Sequence, residues 1–166
     1  MRRTAIGGVL AAGAFWWLNI SNPVEEAFDD LARGPLYVTT EFELEEIEPQ
    51  RDGPDHRVGI IAASYDGPDD FDTLEITVFE TESAAEEDWT RRLGEAGPFR
   101  TQSPRIYEGQ ICTRRRRAIS CSVRMYEAVI VGAAAGPDRE QVMRNITGLL
   151  KTGVKNWLEA RGLSLP

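Results

Sequence analysis

Between Leu36 and Arg161 the hydrophobic pattern changes period twice, in the same order each time. Three short stretches with a two-residue period precede one stretch with the 3.6-residue period of an amphipathic helix, and the succession then recurs. The first strand is expected over Leu36 to Glu48, where Phe42 and Leu44 alternate with Glu41, Glu43 and Glu45. The second is expected over Val58 to Tyr65 and the third over Leu74 to Thr81. Ser83-Ala84-Ala85-Glu86 has the form of a capping box and opens a helix with Ala85, Trp89 and Leu93 on one side. Strands are expected again over Arg105 to Thr113, Ala118 to Arg124 and Ala128 to Ala133. Asp138 then caps a long helix to about Arg161, with Gln141 at the box position. Its stripe is Val142, Ile146, Leu149, Leu150, Val154, Trp157 and Leu158.

Connections this short within each half favour antiparallel pairing. A further helix comes first: Asn22 caps it, Pro23 suits its first turn, and Gly34-Pro35 ends it. The fold expected is α+β: an antiparallel sheet of about six strands in the order α-βββα-βββα, with helices packed on it and an N-terminal hydrophobic helix ahead. Residues 1–20 read as a membrane anchor or signal segment, 21–35 as a linker helix and 36–166 as a single α+β domain. The two halves share their order without detectable sequence identity.

Cys112 and Cys121 flank a reversal at Arg116-Arg117. A two-residue turn there sets Arg115 opposite Ala118, Thr113 opposite Ser120 and Cys112 directly opposite Cys121. Directly opposed residues in an antiparallel pair lie at ~4.5–5.5 Å between Cα atoms, which suits a disulfide. The pair shares a face with Ile119 and Val123, so it is expected to face the core. Such bonds persist in oxidising compartments. The spacing is not Cys-x-x-Cys and no helix start lies beside it, which argues against redox activity.

The N-terminus agrees with export. Met1-Arg2-Arg3 precedes the apolar run AIGGVLAAGAFWWL, closed by Asn19 to Pro23. A helix over residues 5–20 would be about 24 Å long against a ~30 Å bilayer core, short for a span. Trp16 and Trp17 suit the far interface, and Arg2 and Arg3 the cytoplasmic side. The domain is then extracytoplasmic, in a periplasm or at a cell surface. The alternatives are secretion after cleavage near Ala14 and a hydrophobic helix packed on a soluble domain.

Arg114, Arg115, Arg116 and Arg117 crowd the hairpin tip and can meet an anionic partner: an envelope protein or lipid headgroups. Charge is divided along the chain. Residues 21–90 hold 21 Asp/Glu against three Lys/Arg, and residues 91–166 hold six against 14. Folded together, the halves are expected to neutralise each other in part. Nucleic acid is not an expected partner, because the chain carries a net charge of −8 and shows no basic-aromatic interleaving.

Chemistry is scarce in the sequence. Two Cys and one His leave no zinc set, and His56 sits in a Pro/Gly/Asp stretch. Asp66, Asp69, Asp70 and Asp72 do not have the spacing of a calcium loop. Glu41, Glu43, Glu45, Glu46 and Glu48 read as a solvated strand face. Nucleophile elbow, P-loop and dinucleotide patterns are absent. Asn145-Ile146-Thr147 fits the glycosylation pattern but falls inside the long helix. No catalytic set, metal or cofactor is expected. The reading is a membrane-tethered extracytoplasmic accessory or binding domain acting through a protein or lipid surface. The alternatives are an enzyme whose site assembles only in the fold and a structural component of an envelope assembly.

Overall fold

A computed structural model describes residues 22–34, 36, 43–53, 56–66, 71–102 and 105–165. The apolar segment over residues 5–20, its orientation and its cleavage point all lie outside them. Among the described residues, no helix is long and apolar enough to cross a membrane.

The elements are α1 (Pro23–Arg33), β1 (Glu43–Gly53), β2 (Arg57–Asp66), β3 (Phe71–Phe79), α2 (Glu82–Ala96), β4 (Ile111–Arg115), β5 (Ala118–Met125), β6 (Ala128–Ala135) and α3 (Arg139–Arg161). The α-βββα-βββα order holds. The six strands form one antiparallel sheet in the order β1-β2-β3-β6-β5-β4.

Strand periodicity assigns the two faces. On the first lie Ile61, Ala63, Leu74, Ile76, Ile130, Cys121 and Val123, all buried under α3 and α1. All seven stripe residues of α3 are buried there. On the second lie Phe79, Ile111 and Val129, which pack with Ala85 and Trp89 of α2. The helices that close the two halves therefore cover opposite faces. A two-fold axis through the sheet centre would put both on one face, so no such axis relates the halves.

Three boundaries differ from expectation. The first strand is Glu43–Gly53, not residues 36–48. Leu36 instead sits buried before it, its carbonyl accepting from the Tyr65 hydroxyl at 2.9 Å. Pro49 lies inside β1 opposite Ile61, which an edge strand tolerates because it pairs with a neighbouring strand on one side only among the described residues. A bulge between Leu44 and Glu46 also resets the alternation. The cap of α2 is Thr81, whose hydroxyl accepts from the Ala84 amide at 3.2 Å, so Ser83 is already inside the helix. The fourth strand is only Ile111–Arg115, with turns before it.

The helix starts at Asn22 and Asp138 are capped as the sequence implies. Gln141 does not close a capping box. It donates to Asn145 Oδ1 at 2.8 Å, and Asn145 Nδ2 donates to both carboxylate oxygens of Asp72 at 3.2 and 3.3 Å. Asn145 is buried in α3, so the glycosylation pattern is inaccessible in the folded chain. Asp72 is not a turn residue exposed to cations. It is a buried β3 carboxylate that fastens α3 to the sheet.

Candidate functional site

The cysteines meet as the register requires. Cys112 lies opposite Cys121 with Cα atoms 4.1 Å apart, and the two are disulfide-bonded. Both are buried on the α3 side of the sheet. Gln110 Nε2 donates to Cys112 Sγ at 3.3 Å. The bond ties the short edge strand β4 to β5 three residues before Arg115. Closing a loop of this size stabilises the fold by about 2–3 kcal/mol in the chain-entropy model. Reduction under native conditions, or the Cys112→Ala/Cys121→Ala pair, should cost that amount in thermal unfolding. Mass spectrometry of protein recovered from cells in the presence of an alkylating agent checks the bond itself. Two alkylated cysteines would overturn it.

Beyond the cystine the chain turns at Arg116-Arg117, and Arg116 takes a φ of 57°. Arg114, Arg115, Arg116 and Arg117 are all exposed. Arg115 stacks on the Phe99 ring at 4.6 Å, and Arg114 Nε donates to the Arg116 carbonyl at 3.2 Å. Arg100 stands beside this edge through a bridge to Thr113. Among the described residues, none of the four tip arginines pairs with a carboxylate, whereas Arg91, Arg92 and Arg124 around α2 do. Arg91 and Arg92 grip Asp88, Arg92 reaches Glu75 at 3.7 Å, and Arg124 reaches Glu86 at 2.7 Å.

Among the described residues, the ion pairs that join the two halves gather around α2. Sheet order puts acidic β1 on one edge and basic β4 on the other. Five strand spacings of ~4.8 Å separate them by about 24 Å, roughly three Debye lengths at physiological salt. On β1, Glu46 and Glu48 are exposed opposite Ser64 and Ala62. The Glu41 residue and the side chains of Glu43 and Glu45 lie outside the described residues. The edges keep opposite charge.

The tip also has a fixed place relative to α1. Phe28 of α1 lies over Gly59, near the start of β2, and Leu36 meets Tyr65 near its end. The helix therefore runs along β2, and its first residue lies at the end of the sheet where β5 finishes. The arginine tip precedes β5, so it lies at the opposite end, about 24 Å away along an eight-residue strand. It is also at the opposite edge, because α1 contacts β1, β2 and β3.

Two of the clefts beside α2 gather ionisable or aromatic side chains. One, of about 980 Å³, is lined by His56, Arg57, Thr77, Phe79, Asp88 and Arg92, among others. His56 Nδ1 is 3.1 Å from Glu80 Oε2. Burial alone would raise the Asp88 carboxyl, but Arg92 and Arg91 outweigh it and hold the group below the usual carboxylate range. These ion pairs fix α2 on the sheet. The second cleft, of about 770 Å³, gathers Trp89, Tyr107 and Tyr126 beside Glu82, Glu86 and Glu108. The sequence reading missed it, because three aromatic residues from a helix, a loop and a hairpin converge only in the fold. Among the described residues, no group of three or more His, Cys, Asp or Glu could hold a metal ion. No family model, curated protein or solved structure matches the chain.

Proposed function

We propose that the chain is a membrane-tethered extracytoplasmic binding domain whose arginine-tipped hairpin docks an acidic protein surface. The observation that carries this reading is a cluster of exposed arginines without carboxylate partners among the described residues, held on a disulfide-braced hairpin. The disulfide-braced backbone spares the cost of ordering a loop on docking, and guanidinium groups take carboxylates in two-pronged hydrogen bonds. The disulfide supports an oxidising compartment. The arginine-headed apolar run supports a tether that enters at α1.

With that tether, the geometry favours protein over lipid as the partner. Residues 20–23 leave only about 10 Å of chain between the helix expected over residues 5–20 and α1. The tip is at the far end and far edge of the sheet from that point, so it is directed away from the headgroups of its own membrane.

The test uses full-length protein reconstituted in neutral phosphatidylcholine vesicles, with poly-L-glutamate as the acidic probe. Binding is expected to weaken steeply with salt. The fourfold variant R114Q/R115Q/R116Q/R117Q should lose at least about tenfold in affinity and most of the salt slope. Equal binding by the variant would overturn the reading. Bridging to phosphatidylglycerol vesicles without affinity for polyglutamate would transfer the tip to a lipid partner.

A further inference from the structure

The cleft beside α2 brings Trp89, Tyr107 and Tyr126 together in one lining. Its volume of about 770 Å³ falls within the size range of small-molecule sites. Ile106 and Met125 add apolar wall, and Glu82, Glu86 and Glu108 supply carboxylates. Arg124 is the one cation of the lining, and Glu86 already engages it at 2.7 Å. Among the described residues, Glu82 and Glu108 belong to no ion pair. Burial pushes the Tyr107 phenol up, so it stays neutral and adds no competing charge at physiological pH.

Aromatic rings attract cations through the negative potential over their faces. Carboxylates at the margin add a longer-ranged attraction. A small, strongly hydrated ion gains little from rings, because they cannot replace its water. A metal ion needs several oxygens converging on one point, and the carboxylates here do not converge. A cation with diffuse charge and an apolar shell matches both halves of the lining.

We infer that this cleft binds a small organic cation of the quaternary or methylated ammonium class, either as a free solute or as a lipid headgroup. This goes beyond the docking role of the arginine tip and does not depend on it. The cleft includes Met125 and Tyr126, so it lies at the opposite end of β5 from the tip. That is also the end at which α1 begins, which puts a choline headgroup of the tethering membrane within range.

The experiment measures binding of choline, tetramethylammonium and 3,3-dimethylbutanol, the uncharged analogue of choline, to full-length protein in maltoside micelles. Both cations are expected to bind, with the alcohol at least about tenfold weaker. Tyr107→Leu should weaken choline by about fivefold or more. Glu82→Gln/Glu108→Gln, at two exposed positions that do not touch the core, should weaken it by severalfold and flatten its salt dependence. Equal affinity for choline and the alcohol, or no cation binding at about 50 mM, overturns the inference. If choline binds in maltoside micelles but much more weakly once the protein is reconstituted in phosphatidylcholine vesicles, the headgroup competes for the cleft and is the source. If its affinity is the same in both, the source is a free solute.

Discussion

Trp157→Ala should lower the unfolding free energy by about 3–5 kcal/mol, the largest loss expected from any single truncation in this chain. Trp157 is fully buried, and it sits where three interactions meet. Its indole Nε1 donates to the Met125 carbonyl at 3.1 Å, at the end of β5. The Arg161 guanidinium lies 6.0 Å from the ring centroid. That guanidinium also binds the mostly buried Glu127 of the β5–β6 turn at 2.8 and 3.3 Å. Truncation leaves a cavity, strands the Met125 carbonyl and loosens the arginine that holds the turn. In a domain of this size the loss corresponds to a fall of roughly 10–15 °C in Tm. Trp157→Phe keeps most of the volume and loses the hydrogen bond, so it should cost only about 1–2 kcal/mol. A drop below about 3 °C for the alanine variant would mean that α3 does not anchor on this ring.

The stripe containing Trp157 was legible because α3 obeys one rule along its whole length. Seven apolar residues at helical spacing predict one buried face, and the fold buries all seven. The cystine was legible for the same kind of reason. A two-residue turn between two short alternating runs leaves one register, and Cys112 and Cys121 fall opposite each other in it. Both inferences use only local periodicity.

What stayed hidden depends on competition between local signals or on the long-range arrangement. Pro49 reads as a strand stop, but sheet order makes β1 an edge, where a missing amide donor costs little. Thr81 and Ser83 can both cap a helix. Phe79 is buried on the second face, its amide bound to the Glu127 carbonyl at 2.8 Å, so the chain must leave the sheet at once and the earlier cap is used. The separation of charge onto two edges was not legible, because charge counts say nothing of strand order. Nor was the distance between the arginine tip and the start of α1, which follows from the direction of a helix packed across strands it does not pair with. The aromatic cleft was the least legible of all, since its three rings come from segments with no shared pattern.

The direction of α1 rests on two contacts, and the one at Gly59 can be tested directly. At Gly59 an added Cβ would stand 2.7 Å from a Phe28 ring carbon and 2.5 Å from the Gln50 carbonyl oxygen. Real Cβ atoms do not approach so closely, so α1 or β1 must move. Gly59→Val should therefore cost about 3 kcal/mol, at the upper end of ordinary overpacking. Intrinsic preference works the other way, because valine suits a strand better than glycine does. A loss can then be assigned to the collision. Its location should be local: α1 buries Val24, Ala27, Phe28 and Leu31 on the sheet and α3, and those side chains would be exposed. Limited proteolysis should cut between α1 and β1 while leaving residues 57–165 intact and disulfide-bonded. Phe28→Ala removes the other side of the collision, so the double variant should lose less than the sum of the two single losses. Additive losses, or an uncut linker in Gly59→Val, would show that Phe28 does not seat on Gly59. In the proposed tethered arrangement, this contact is what turns the arginine tip away from the membrane. Gly59→Val should then let the domain swing, and the tip should gain access to anionic headgroups that the wild-type geometry denies it.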